Sequence, residues 1–374
     1  MPARSLYHIT IALVVLSLIV AACSVALPQS TSLQPPTAAS AVTQRVSQPP
    51  GTPAWAGLKL SGSLIFITGT TSLASTTGLV PALARLDLAS GRLQTIFQPA
   101  DGAALTAAAV SPDGQRIVIA YAPPPASGVQ FGYTGLYLLP SDGSAPPQAL
   151  IDATAQHDSD FQPSWSPDGR WIYSAHLDTK PDSSGFFTPT YTIQRSPYPT
   201  GTAEIVAHNA YWPRLSADGA RLVYVTYNPS RFTSQLYVAD ADGRNPRSLG
   251  LPDALLADAP LVSPDGQWIY FSAANLGAPA AYRWLDRLLG VGVAEAAPDR
   301  HNVPSDWWRV PVNGGQPQRL TQLYDMGLYG AFSPDGRYMA FVTVTGIFVL
   351  DLAGDKLTSL LSGTGTYGTL AWVP

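Results

Sequence analysis

The residues equipped for chemistry in this chain are few and widely spaced. Beyond the N-terminal segment there are four histidines, His157, His176, His208 and His301. Imidazole suits several transition metals, but no two of these histidines share a ligand motif and no His-Glu-x-x-His occurs. The common zinc signatures also use paired cysteines, and Cys23 is the sole cysteine. A serine hydrolase of the nucleophile-elbow type needs Gly-x-Ser-x-Gly, which is absent. Gly290-Val291-Gly292 has the opening spacing of a dinucleotide loop without its third glycine, and reads as the end of a short helix. No cofactor motif is present. What remains is a set suited to binding: Asp160 and Phe161, Tyr211 and Trp212, Asp258, Tyr329 and Tyr367. Aromatic side chains with a polar edge offer large contact area at low entropic cost.

The elements that position this set come from a repeat. Ser111-Pro112-Asp113-Gly114 recurs at Ser166–Gly169, Ser216–Gly219 (with Ala217 for Pro), Ser263–Gly266 and Ser333–Gly336. Pro presets φ for a type I turn, Asp bonds to nearby backbone, and Gly takes the left-handed position that closes a bulged hairpin. Each copy follows an apolar residue (Val110, Trp165, Leu215, Val262, Phe332) and precedes an apolar run such as Trp171–Ala175 or Tyr338–Thr343. Near-continuous apolar strands belong where both faces of a sheet are covered.

A second hairpin follows each first one, turning at Ser90-Gly91, Asp142-Gly143, Thr200-Gly201, Asp242-Gly243, Asn313-Gly314-Gly315 and Gly354-Asp355. Two hairpins make a four-stranded unit, and the repeat length fits propeller blades. The first unit, starting at Ser63, has no innermost strand ahead of it, while Ala371-Trp372 at the other end of the sequence matches Ser164-Trp165. The expected fold is therefore all-β, a six-bladed propeller of four-stranded antiparallel blades closed by the C-terminal strand, which leaves no open edge. A β-sandwich of repetitive hairpins is the alternative.

In that fold the turn motifs and second-hairpin turns share one face, and the remaining loops open on the other. That long-loop face should carry the four histidines, and the seven aromatic and acidic residues should surround the mouth of the central channel there. Residues 273–305 interrupt the fifth blade, with Ala280–Leu289 patterned as a short amphipathic helix.

The motif (aromatic)-Ser-Pro-Asp-Gly, followed after two residues by an aliphatic and then an aromatic position, resembles the repeat of TolB-type β-propellers. It is also seen in the propeller halves of some oligopeptidases. The resemblance covers about residues 56–374. It implies a binding or scaffolding module rather than an enzyme, with a protein, peptide or cell-wall component as partner. Some lyases similar to this family hold a divalent metal through histidines. A metal-assisted carbohydrate enzyme using His157, His176, His208 or His301 is therefore the alternative function. The α/β domain preceding the TolB propeller has no counterpart here.

Arg4 and the apolar run Ile9–Val20 read as an export signal, shorter than the roughly 20 residues of a membrane-spanning helix. Val20-Ala21-Ala22-Cys23 has the form of a bacterial lipobox. The expected organisation is a signal peptide at 1–22, lipidation at Cys23, a Pro/Ser/Thr-rich tether at 23–55, and the propeller at 56–374. This places the protein, as a monomer, on the extracytoplasmic side of a membrane. Charged residues make up 12% of the chain and the net charge is −4, with no basic cluster to replace nucleic-acid counterions.

Overall fold

A computed structural model describes residues 52–71, 79–124, 133–152, 158–179, 185, 189–228, 230–276, 303–354, 356–363 and 365–374. Cys23, the apolar run, His157, His301 and the helix expected over Ala280–Leu289 lie outside the described residues.

The described strands form six four-stranded antiparallel sheets, each the blade of a six-bladed propeller. From blade 1 to blade 6 the innermost strands are Thr366–Val373, Ala104–Val110, Asp158–Trp165, Ala210–Leu215, Leu255–Val262 and Tyr329–Phe332. The second strands are Ser63–Thr71, Arg116–Ala122, Trp171–Asp178, Arg221–Asn228, Trp268–Asn275 and Tyr338–Thr343. Their central residues are buried, and the burial is unbroken over Tyr338–Thr343, because each sheet packs between two others.

The turn motif works as its residues dictate. In all five copies the Ser hydroxyl donates to the Asp carboxylate at 2.5–2.6 Å. The same carboxylate accepts the backbone N–H two residues on. These bonds, the serine's first, hold Asp113, Asp168, Asp218, Asp265 and Asp335 below the usual carboxylate range.

Closure follows the expected route. The C-terminal strand pairs with Ser63–Thr68, matching Leu64 to Trp372 and Phe66 to Leu370. It is also stitched to both neighbouring blades. Thr369 Oγ1 accepts Ala108 N and donates to Ala108 O in blade 2, both at 2.6 Å, and Thr366 Oγ1 donates to Thr343 O in blade 6. Trp55, grouped by composition with the tether, is buried against blade 1 with its indole N–H donating to Leu88 O at 2.8 Å. The ordered packing thus reaches at least that far toward the N-terminus.

Candidate functional site

The innermost strands line the central channel, and three of them carry a proline where a regular strand would donate to the ladder: Pro163, Pro213 and Pro260. The pairing register shifts at each, between Phe161 and Ser164, Tyr211 and Arg214, and Asp258 and Leu261. The residue directly before each proline is left-handed, with φ of 53° at Gln162, 58° at Trp212 and 43° at Ala259. Bulges of this kind re-aim side chains.

At Trp212 the consequence is a contact that skips a blade. Its indole, from blade 4, meets the Tyr329 ring of blade 6 with centroids 5.2 Å apart. Those blades flank blade 5, so the two rings meet on the channel side of its innermost strand. Gln162 of blade 3 accepts the Trp212 backbone N–H at 2.8 Å. A left-handed, non-glycine residue costs on the order of 1 kcal/mol, and here the fully buried indole offsets it.

The candidate residues therefore sit deeper than a ring around the mouth. Tyr211 and Trp212 are each 2% exposed and Tyr329 7%, so in this conformation they are packing groups of the main core cluster. Phe161 is half-buried, edge-on to Tyr191 at 6.4 Å. Tyr367 packs against the cluster of blades 1 and 2, and burial pushes its phenol well up. In this conformation the aromatic candidates pack into the core rather than forming the ring around the channel mouth expected of them. For Phe161, Tyr211 and Trp212, a strand proline three residues ahead of the motif serine marks the bulge.

The two acids are also buried. Asp160 Oδ1 accepts the Ser174 hydroxyl and faces His176 Nδ1, both at 3.3 Å, and that hydrogen bond raises the His176 pKa against the opposing effect of burial. Asp158 and Asp178 add to the same negative field. Asp258 accepts the Ala259 N–H at 2.9 Å and lines a narrow cleft between blades 5 and 6 with Ser272, Ser305 and Gly327. His208 is exposed at the end of the outermost strand of blade 3. Among the described residues no three His, Cys, Asp or Glu side chains gather as a metal site.

Two features were not anticipated. Arg214, two residues before its turn motif, is the only basic residue on the six innermost strands; the corresponding positions hold Ala109, Ser164, Leu261, Ala331 and Ala371. That alignment was available in the repeat. The second is a set of exposed apolar side chains: Phe232, Leu276 and Val344, 48%, 38% and 40% exposed. Each follows the second strand of its blade, in blades 4, 5 and 6, so all three lie on the long-loop face.

No family model matches the chain, and no curated protein matches it. Solved structures share its fold. A TolB structure from Agrobacterium tumefaciens is 19% identical with a TM-score of 0.54, over 84% of this chain and 99% of its own. TolB from Acinetobacter baumannii is 16% identical with a TM-score of 0.57, over 84% of this chain and 67% of its own. The tricorn protease is 15% identical with a TM-score of 0.51, over 80% of this chain and 26% of its own. The resemblance to TolB-type propellers thus extends from the turn motif to the whole ring.

Proposed function

We propose that this protein is a binding or scaffolding module, tethered through a lipid on Cys23 to the extracytoplasmic side of a membrane, that recognises its partner with the long-loop face of the propeller. The partner is a protein, a peptide or a cell-wall glycan. The observation that carries the reading is the placement of Phe232, Leu276 and Val344. Among the described residues only one other large apolar side chain, Ile205, is exposed, and it lies on the outermost strand of blade 3. Exposed apolar side chains gathered on adjacent blades of one face are what a recognition surface needs. The opposite face presents the short, uniform turns, capped by ionised Asp side chains. Loops held on a rigid frame are where binding residues concentrate.

The test is retention of a partner from the protein's own cell envelope on the immobilised protein. Phe232→Glu, Leu276→Glu and Val344→Glu should each weaken retention of the same partner roughly tenfold, the scale of losing one apolar contact of about 1.4 kcal/mol. Arg170→Glu and Arg337→Glu, beside the opposite turns, should leave it unchanged. The reverse pattern would move the working surface to the turn face.

A further inference from the structure

Beside the Trp212–Tyr329 pair stands a charged group, Arg214, with no ion-pair partner among the described residues. Arg214 stands on the blade 4 innermost strand between that pair and the turn, paired in register with Val223. Its guanidinium carbon lies 5.3 Å from the centre of the Trp212 ring, and Nη1 donates to Pro213 O at 2.9 Å. That is its only hydrogen bond among the described residues, and it makes no ion pair there. Its charge also interacts with the Tyr329 phenol. The guanidinium lies over the Trp212 ring, which itself meets Tyr329 of blade 6, and this puts it beside the axial channel.

A guanidinium has five N–H donors, and burial without a counter-charge is costly. Although Arg214 keeps some accessible surface, its charge lies deep enough in the protein that burial pushes its pKa down to about 10. The five corresponding positions are small or apolar, so no side chain at this level competes for the fork.

We propose that Arg214 is an oxyanion site within the channel, and that it takes the carboxylate of a slender, peptide-like ligand. A planar carboxylate matches the guanidinium fork with two parallel hydrogen bonds, and the indole beside it gives the ligand an apolar wall. The turn-face mouth favours a monoanion over a phosphate. Five ionised Asp side chains of the turn motifs stand there, accompanied by Arg116, Arg170, Arg221 and Arg337. This site is independent of the long-loop surface, and neither proposal requires the other.

The experiment follows the Arg214 Nε–H resonance in arginine-labelled protein, assigned by its loss in Arg214→Lys and, should that variant fold poorly, in Arg214→Gln. Acetate should shift it saturably, while chloride at the same ionic strength should not. Acetate should also raise the unfolding temperature of the unsubstituted protein and leave that of Arg214→Met unmoved. The absence of a saturable shift, or an equal shift with chloride, would make Arg214 a packing strut and overturn the site. Tighter saturation with inorganic phosphate than with acetate would overturn the carboxylate assignment.

Discussion

Replacing Gly368 with alanine tests how the ring closes. Gly368 lies in the closing strand with φ of 70°, a conformation that costs an L-residue roughly 1–2 kcal/mol. Gly266 in the turn motif of blade 5 has φ of 67° but open space, with nothing within 4 Å of an added Cβ. At Gly368 the Cβ would stand 2.5 Å from Thr106 O and 3.0 Å from Ile67 Cδ1. The first contact is with backbone of blade 2, which cannot turn aside without disturbing the paired bonds between Thr369 and Ala108. Overpacking of that kind adds roughly 1–3 kcal/mol. Gly266→Ala should therefore lose about 1–2 kcal/mol and Gly368→Ala about 2–5 kcal/mol, nearer the range that marks a named structural defect. Urea unfolding followed by tryptophan fluorescence reads both, with the difference in midpoint as the measure. If Gly368→Ala is no less stable than Gly266→Ala, the close approach of the closing strand to blade 2 is wrong.

Two further outcomes follow from the chemistry of single side chains. Because the Asp160 hydrogen bond raises the His176 pKa, this pair contributes stability that is full below about pH 6.5 and is lost as pH rises through the raised value. An NMR titration should show the His176 midpoint above the ordinary value and returning toward it in Asp160→Asn; an unmoved midpoint would contradict the contact. Cys23→Ala should shift the protein from the detergent phase to the soluble fraction or block its maturation, since stable anchoring depends on acyl chains contributing about 0.8 kcal/mol per buried CH₂. Unchanged partitioning would place the anchor elsewhere.

The ring was legible because its signals are local and repeated. Ser-Pro-Asp-Gly specifies a turn through its own side chains, so five copies announced five hairpins, and Trp372 could be matched to Trp165 before any pairing was known. The channel was harder to read. Trp212 and Tyr329 are separated by two blades in sequence, and nothing within either segment states that the rings meet. Their polar-edged chemistry suggested a surface, while the bulge at Pro213 turned one of them into the interior. Nothing local marks Arg214, because a single arginine in a β-strand usually reaches solvent; only its alignment with alanine, serine and leucine in the other blades sets it apart. The apolar residues Phe232, Leu276 and Val344 fall in connections between strands, where pattern alone says little about exposure.

Closure by the far end of the chain also sets an order of events. A polypeptide delivered from its N-terminus, by a ribosome or through a membrane pore, can assemble blades 2 to 6 as each hairpin emerges. Ser63–Thr71 must wait beside an unpaired edge until Thr366–Val373 arrives. The first blade begun is the last to be finished. Joining segments so distant in sequence adds little to the entropic cost, which grows only logarithmically with loop length, but it slows the search. The interval of greatest exposure to misassociation is therefore the one just before Thr366–Val373 is delivered, and a permutant whose ends fall between blades would shorten it.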